Sequence, residues 1–261
     1  MEAVMAKEIS FQDFMVLAKE VLENDTPYSR NRNAIDSLFN MNVGLPYKQT
    51  VFIRLAVIDS LYSTNMNKHI GGLENLANSI NKISNNDEEL KIKIRKYKVK
   101  IKDCKEKNQM DVEFLLDGKY GKGQHAAKAR SLISKYFYFL MKHQFPIEDN
   151  LLKNYINEVD EYFKLNLDFH PYSKCEDKSN LLVKLLKFEK IDGQYDSFDN
   201  LVWLYGKIRE GSFSLISNDA GSKRITKKNA SERLKVFWIL CDRIKRLYEK
   251  NHPKAKDKTE T

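Results

Sequence analysis

Prolines are rare in this chain, five in 261 residues, and glycines number only ten. So few chain-breakers argue against a turn-dense all-β fold and leave long helices as the expected element. Cysteine is scarcer still: Cys104, Cys175 and Cys241 lie far apart with no paired spacing. An odd, scattered set reads as reduced, partly buried thiols and excludes a standard zinc knuckle. No uninterrupted apolar run approaches the roughly 18 residues of a membrane-spanning helix. The first residues carry acids, with no apolar run behind a basic start, so a signal peptide is not expected either. The expected location is the cytoplasm, away from membranes. No cofactor motif is visible, and Cys and His are too sparse for a bound metal to be expected.

What the chain does contain is core-forming and charged material. Hydrophobic residues make up 42% and charged residues 31%, the balance of a folded globular protein. Thirteen Tyr, fourteen Phe and two Trp supply bulk for helix packing. The length accommodates one large domain or two modest ones.

The net charge of +9 is unevenly placed. From Gly221 to Lys258 thirteen Lys or Arg face four acids, and Lys91 to Lys107 holds nine basic residues against two. Gly118 to His143 has six basic residues and no acid, whereas 1–40 and 144–220 lean acidic. Basic segments concentrated in this way form the footprint of a polyanion-binding surface. The alternative is a set of solvated lysine-rich helix faces.

The periodicity is helical nearly throughout. Ser10 can cap a helix carrying Phe11, Phe14, Met15, Leu17, Ala18 and Val21 at the 3.6 period. Further helices are expected over about 31–39, after Pro46, after Gly71-Gly72, and at 150–165, 181–189, 198–209 and 230–250. Residues 90–105 show both a helical stripe and strand-like alternation, with the balance toward helix. A break at Gly118–Gly123 is expected to open directly onto a helix from Gln124 to about His143. These elements predict a mainly α fold: a compact bilobal helical bundle with a single domain over 1–252. The polar tail 253–261 is expected to be disordered. No internal repeat and no linker stand out.

The residues with chemical content lie between Leu115 and Tyr155. Gly121 and Gly123 form a Gly-x-Gly turn, and glycines permit a tight turn with backbone N–H groups presented to a phosphate. Lys119, Lys122 and Lys128 surround that turn, with His125 at the expected helix start. Together they read as an anchor for a nucleic-acid backbone. Downstream, Lys135 lies in an apolar, aromatic helix, where a lysine must either snorkel or meet a partner. The turn through Pro146 then delivers two carboxylates, Glu148 and Asp149, at the start of the next helix, where capping is the ordinary role of Asp149.

The order Gly121-Lys122-Gly123, a helix, then Pro146 and Asp149 resembles the helix-hairpin-helix DNA glycosylases, over about residues 50–160. The resemblance implies a helix-hairpin-helix-like motif at about 115–150, gripping double-stranded DNA with a flipped base. It implies excision of a damaged or modified base, in repair or in defence against modified foreign DNA. Asp149 would then be the catalytic carboxylate, with Lys135 as a second catalytic candidate. Gly121, Lys122, Gly123, His125 and Lys128 would contact DNA, and Asp59 and Asn65 would line the pocket. His125 stands where strand-cleaving members carry a lysine, and Lys128 and Lys135 are the candidate substitutes. Base excision is therefore implied more firmly than strand cleavage. The alternatives are a non-catalytic helical DNA- or RNA-binding protein, and a helical scaffold for an acidic protein. A metal-dependent nuclease lacks its acid–lysine cluster. No obligate protein partner is evident.

Overall fold

Helix boundaries follow the caps and breaks that the sequence offers. In the computed structural model, which describes residues 9–23, 26–42, 44–102, 111–167, 179–212 and 230–253, Ser10 Oγ accepts from the Asp13 amide at 3.1 Å. That cap opens α1 (Phe11–Leu22), and Ser231 opens α11 (Glu232–Asn251) by accepting from the Leu234 amide at 3.3 Å. Pro46 precedes α3 (Tyr47–Tyr62), which ends at Ser63 with a left-handed φ of 51°. The remaining helices are α2 (Pro27–Asn40), α4 (Gly72–Ile83), α5 (Asp87–Lys102), α6 (Asp111–Asp117), α7 (Arg130–Leu140), α8 (Asn150–Phe163), α9 (Ser179–Lys187) and α10 (Tyr195–Glu210). The fold is mainly α. Residues 90–102 are helical, and 103–105 lie outside the described residues, as do Cys104, Cys175 and 254–261 of the expected tail.

One expectation is overturned. The Gly-x-Gly turn does not open onto a helix. Lys119–Tyr120 (β1) pairs antiparallel with Ala127–Lys128 (β2), Lys119 opposite Lys128, and a one-turn 3-10 helix, Gly123–His125, fills the tip. Gly121 and Gly123, with φ of 123° and 55°, fold the chain back on itself. Tyr120, buried, donates its hydroxyl to the Leu115 carbonyl at 2.7 Å and ties the first strand down. The next helix therefore starts at Arg130, and the backbone N–H groups at Gly123 do not begin a long helix.

The chain divides into two compact units. One comprises Met1–Pro27, Leu151–Cys175 and Asn200–Thr261. Its core stacks Phe14 on Phe237 at 4.6 Å, with Phe163 against both Phe11 and Phe14. Within it, buried Glu158 receives two bonds of 2.9 Å from Arg209 and one from the Tyr205 hydroxyl. Gly206 lets α10 approach α8: a Cβ there would stand 2.8 Å from Leu151.

The other unit comprises Tyr28–Asn150 and Glu176–Asp199. Its centre is α7, on which every residue from Leu132 to Leu140 is buried. A helix apolar all round belongs in the middle of a core. Here α3, α5 and α6 pack on α7, and α4 packs on α3. Phe137 meets Phe145 edge-on at 5.4 Å, and Tyr136 meets Phe39 at 5.2 Å.

Candidate active site

The polar side chains of α7 organise the site because each is held in place by a neighbour one turn away or by the chain that follows. Arg130 and Ser134 hold the segment leading to α8. Ser134 Oγ accepts from the Glu148 amide at 3.0 Å, and Arg130 grips the Glu148 carboxylate through Nε at 3.1 Å and Nη2 at 3.0 Å. Glu148 is fully buried and spent on this clamp, and Arg130 also reaches Asp117 at the end of α6. The chain thus leaves Glu148 fixed, and Asp149 turns toward another pair of α7 residues.

That pair is Ser131 and Lys135. Lys135 Nζ donates to Ser131 Oγ at 2.9 Å and lies 3.4 Å from Asp149 Oδ2. Tyr62, at the end of α3, places its ring under the same ammonium, 5.5 Å from the centroid. Lys135 is 3% exposed, so it does not snorkel; a hydroxyl, a carboxylate and an aromatic face hold it inside.

A third carboxylate joins them from α10. Asp199 accepts from the Tyr28 hydroxyl of α2 at 3.2 Å. Burial, then the nearby Asp149 charge, push the Asp199 carboxyl up to about 7, against the lowering pull of Lys135 and Arg32. One turn earlier, Asp196 has the opposite character. Burial works to raise it, but the Arg32 guanidinium and the Tyr138 hydroxyl, at 2.8 Å, hold it below the usual carboxylate range. Two acids of one helix face are thereby tuned apart, an arrangement found where one must carry a proton and the other must not.

Arg32 is itself fixed from behind. His143, with a left-handed φ of 66°, stacks on Tyr138 at 4.5 Å. Its Nδ1 lies 3.1 Å from Arg32 Nη2 and its Nε2 2.8 Å from Asp36 Oδ1. Arg32 has only donors, so Nδ1 must accept, and the ring hydrogen is assigned to Nε2, which donates to Asp36. Burial and Asp199 raise the Tyr28 hydroxyl far above its ordinary value, and the same two causes raise Tyr62, so both phenols stay protonated donors.

Of the residues singled out in the sequence, Lys135 and Asp149 come together. Gly121, Lys122, Gly123 and Lys128 lie on the hairpin, with Lys122 and Lys128 exposed and Gly121 O accepting from Asn75 Nδ2 at 3.2 Å. The His125 backbone sits in the tip, and its side chain lies outside the described residues. Asp59 has another task. Buried, it accepts from the Met66 and Asn67 amides at 2.7 and 3.0 Å and from the Thr64 hydroxyl, so it organises the loop after α3. Asn65 is exposed in that loop and donates to the Ser63 carbonyl at 3.0 Å. Tyr62, rather than Asp59, is the α3 residue at Lys135. Sequence reasoning does not reach Asp199, Tyr28 or Arg32; the spacing of Asp196 and Asp199, one turn apart among apolar residues, is the available signal.

Much of the α5 charge is spent inside the unit. Lys93 pairs with Asp111 at 2.6 Å, Lys98 donates to the Gln144 carbonyl at 2.8 Å, and Lys102 pairs with Asp192, whereas Arg95 and Lys96 are exposed. Among the described residues no three His, Cys, Asp or Glu side chains gather as a metal site requires. None of the described helices is long and apolar enough to cross a membrane. No protein family, curated protein or solved structure matches this chain.

Proposed function

We propose that this chain is a DNA N-glycosylase that removes a damaged or modified base by hydrolysis. The observation that carries the reading is buried Lys135, on the helix that follows a basic hairpin, held 3.4 Å from the part-buried Asp149 carboxylate, with the Asp199 carboxyl in the same cluster. A base inside a duplex is out of reach, so the nucleotide must be flipped into the protein. Breaking its bond to the sugar builds positive charge at C1′, and a fixed, partly desolvated carboxylate stabilises that charge far better than water does. Asp149 is the group for this task, with Lys135 and Ser131 fixing its surroundings. Repair and defence against modified foreign DNA both use this chemistry.

The test is incubation with DNA carrying a panel of damaged and modified bases, in chelator, followed by alkali and strand analysis. Alkali-dependent breaks are expected, and Asp149→Asn is expected to slow them by about 10²- to 10³-fold while DNA binding persists. Breaks that survive unchanged in Asp149→Asn would remove Asp149 from the chemistry. No breaks on any substrate, with binding intact, would leave the chain a non-catalytic helical nucleic-acid-binding protein.

The hairpin lysines offer a separate check. Replacing Lys119, Lys122 and Lys128 together by Ala is expected to lower the slope of log affinity against log salt by roughly 2 to 3, about 0.9 for each duplex phosphate that is no longer neutralised. An unchanged slope would take the hairpin out of the DNA interface.

A further inference from the structure

Asp199 is the one carboxyl in the cluster with no role in the reading above, and its surroundings are unusually well defined. Tyr28 and Arg32 face it from α2, Tyr62 from α3, Lys135 and Tyr138 from α7, Asp149 from the segment before α8, and Asp196 from its own helix. The Tyr28 hydroxyl donates to Oδ2 at 3.2 Å, which directs a carboxyl proton to Oδ1. Asp196, one turn away, is committed to Arg32 and Tyr138. Glu148, next to Asp149 in the chain, is committed to Arg130.

A leaving base poses a problem that Asp149 cannot solve. When the C1′–N bond breaks, its electron pair stays on the base, and a neutral base departs slowly as an anion. A positioned acid that supplies a proton relieves this. We propose that Asp199 is that acid: its carboxyl proton passes to the departing base while Asp149 faces the sugar. The inference rests on the glycosylase reading. The step balances without any further reagent. The bond electrons and the Asp199 proton leave with the base, and Asp199 is left as a carboxylate. A water oxygen then bonds to C1′, the proton that water sheds returns to Asp199, and the site regains its starting charge. Two carboxyl groups, one with a proton and one without, divide the work as they do in glycoside hydrolysis.

The experiment measures single-turnover excision of a neutral base identified in the substrate panel, from about pH 5 to 9, with ¹³C-carboxyl NMR titration of Asp199 alongside. For the unmutated chain the rate is expected to fall above pH 7, in step with an Asp199 titration at about 7. Asp199→Asn is expected to be about 100-fold slower at pH 6 and to lose that alkaline fall. Asp199→Glu, which keeps a carboxyl, is expected to recover the alkaline fall, at a rate lowered by the displaced carboxyl. A purely structural role would slow Asp199→Asn yet keep the pH profile, and that result overturns the proposal. So does a rate that rises through pH 7, which would make the group a base. Excision of nothing by the unmutated chain overturns the glycosylase reading and this inference with it. An Asp199 titration near 7 in that case would leave a proton-carrying carboxyl in a site of other chemistry.

Discussion

Above about pH 8 the Asp199→Asn variant is expected to be more stable than the unmutated chain by roughly 2–4 kcal/mol, a difference that vanishes at acid pH. The sign follows from the direction of the shift. Burial and Asp149 raise the Asp199 carboxyl to about 7 in the folded chain, whereas the unfolded chain keeps an ordinary carboxylate value near 4. Between those values the folded state binds more protons than the unfolded one, so stability falls as pH rises. Below the lower value both states are protonated and the penalty is absent; above the upper value it is complete. Asn has the same shape and cannot ionise, so it escapes the penalty while still accepting from Tyr28. Urea unfolding at about pH 4 and pH 8.5 measures the effect. Parallel stability curves for the two chains would show that Asp199 ionises in the folded state as easily as in the unfolded one.

The helical frame is largely legible in the sequence because it rests on local rules. Ser10 caps where its side chain predicts, and the aromatic run of α7 is buried as its composition requires. Lys135 stands out as a lysine inside such a run, and it is indeed buried. The hairpin is not legible. Ala126, Ala127 and Ala129 favour helix by intrinsic propensity, but that preference amounts to a few tenths of a kcal/mol per residue. The left-handed glycines and the anchored Tyr120 return the chain as a strand instead. Nor is Asp199 legible, since Asp149 and Asp199 lie fifty residues apart and the packing of α10 with α2 and α7 is what brings them to one place. Choosing between the adjacent acids also requires the fold: Glu148 and Asp149 have similar chemistry, and the position of Arg130 sends one into the core and leaves the other for the site.

That division of labour predicts the largest loss of stability. Arg130→Met is expected to cost about 3–5 kcal/mol, because it leaves the fully buried Glu148 carboxylate without its guanidinium. The double variant Arg130→Met with Glu148→Met is expected to recover most of the stability, for a buried ion pair contributes little net free energy beside apolar side chains of similar volume. Urea unfolding of the four chains closes the cycle, and a double variant as unstable as the single one would mean that the packing of Arg130, rather than its charge, holds the segment. Catalysis should not recover with stability. The salt bridge fixes the residue before Asp149, and without it the segment relies on the Ser134 bond to the Glu148 amide to keep the Asp149 carboxylate in place. A displacement of about 1 Å at such a group can cost about 10²-fold in rate. A double variant that is stable, binds DNA and excises slowly would assign Arg130 and Glu148 to positioning. One that excises at the original rate would show that Ser131, Ser134 and Lys135 suffice to hold Asp149.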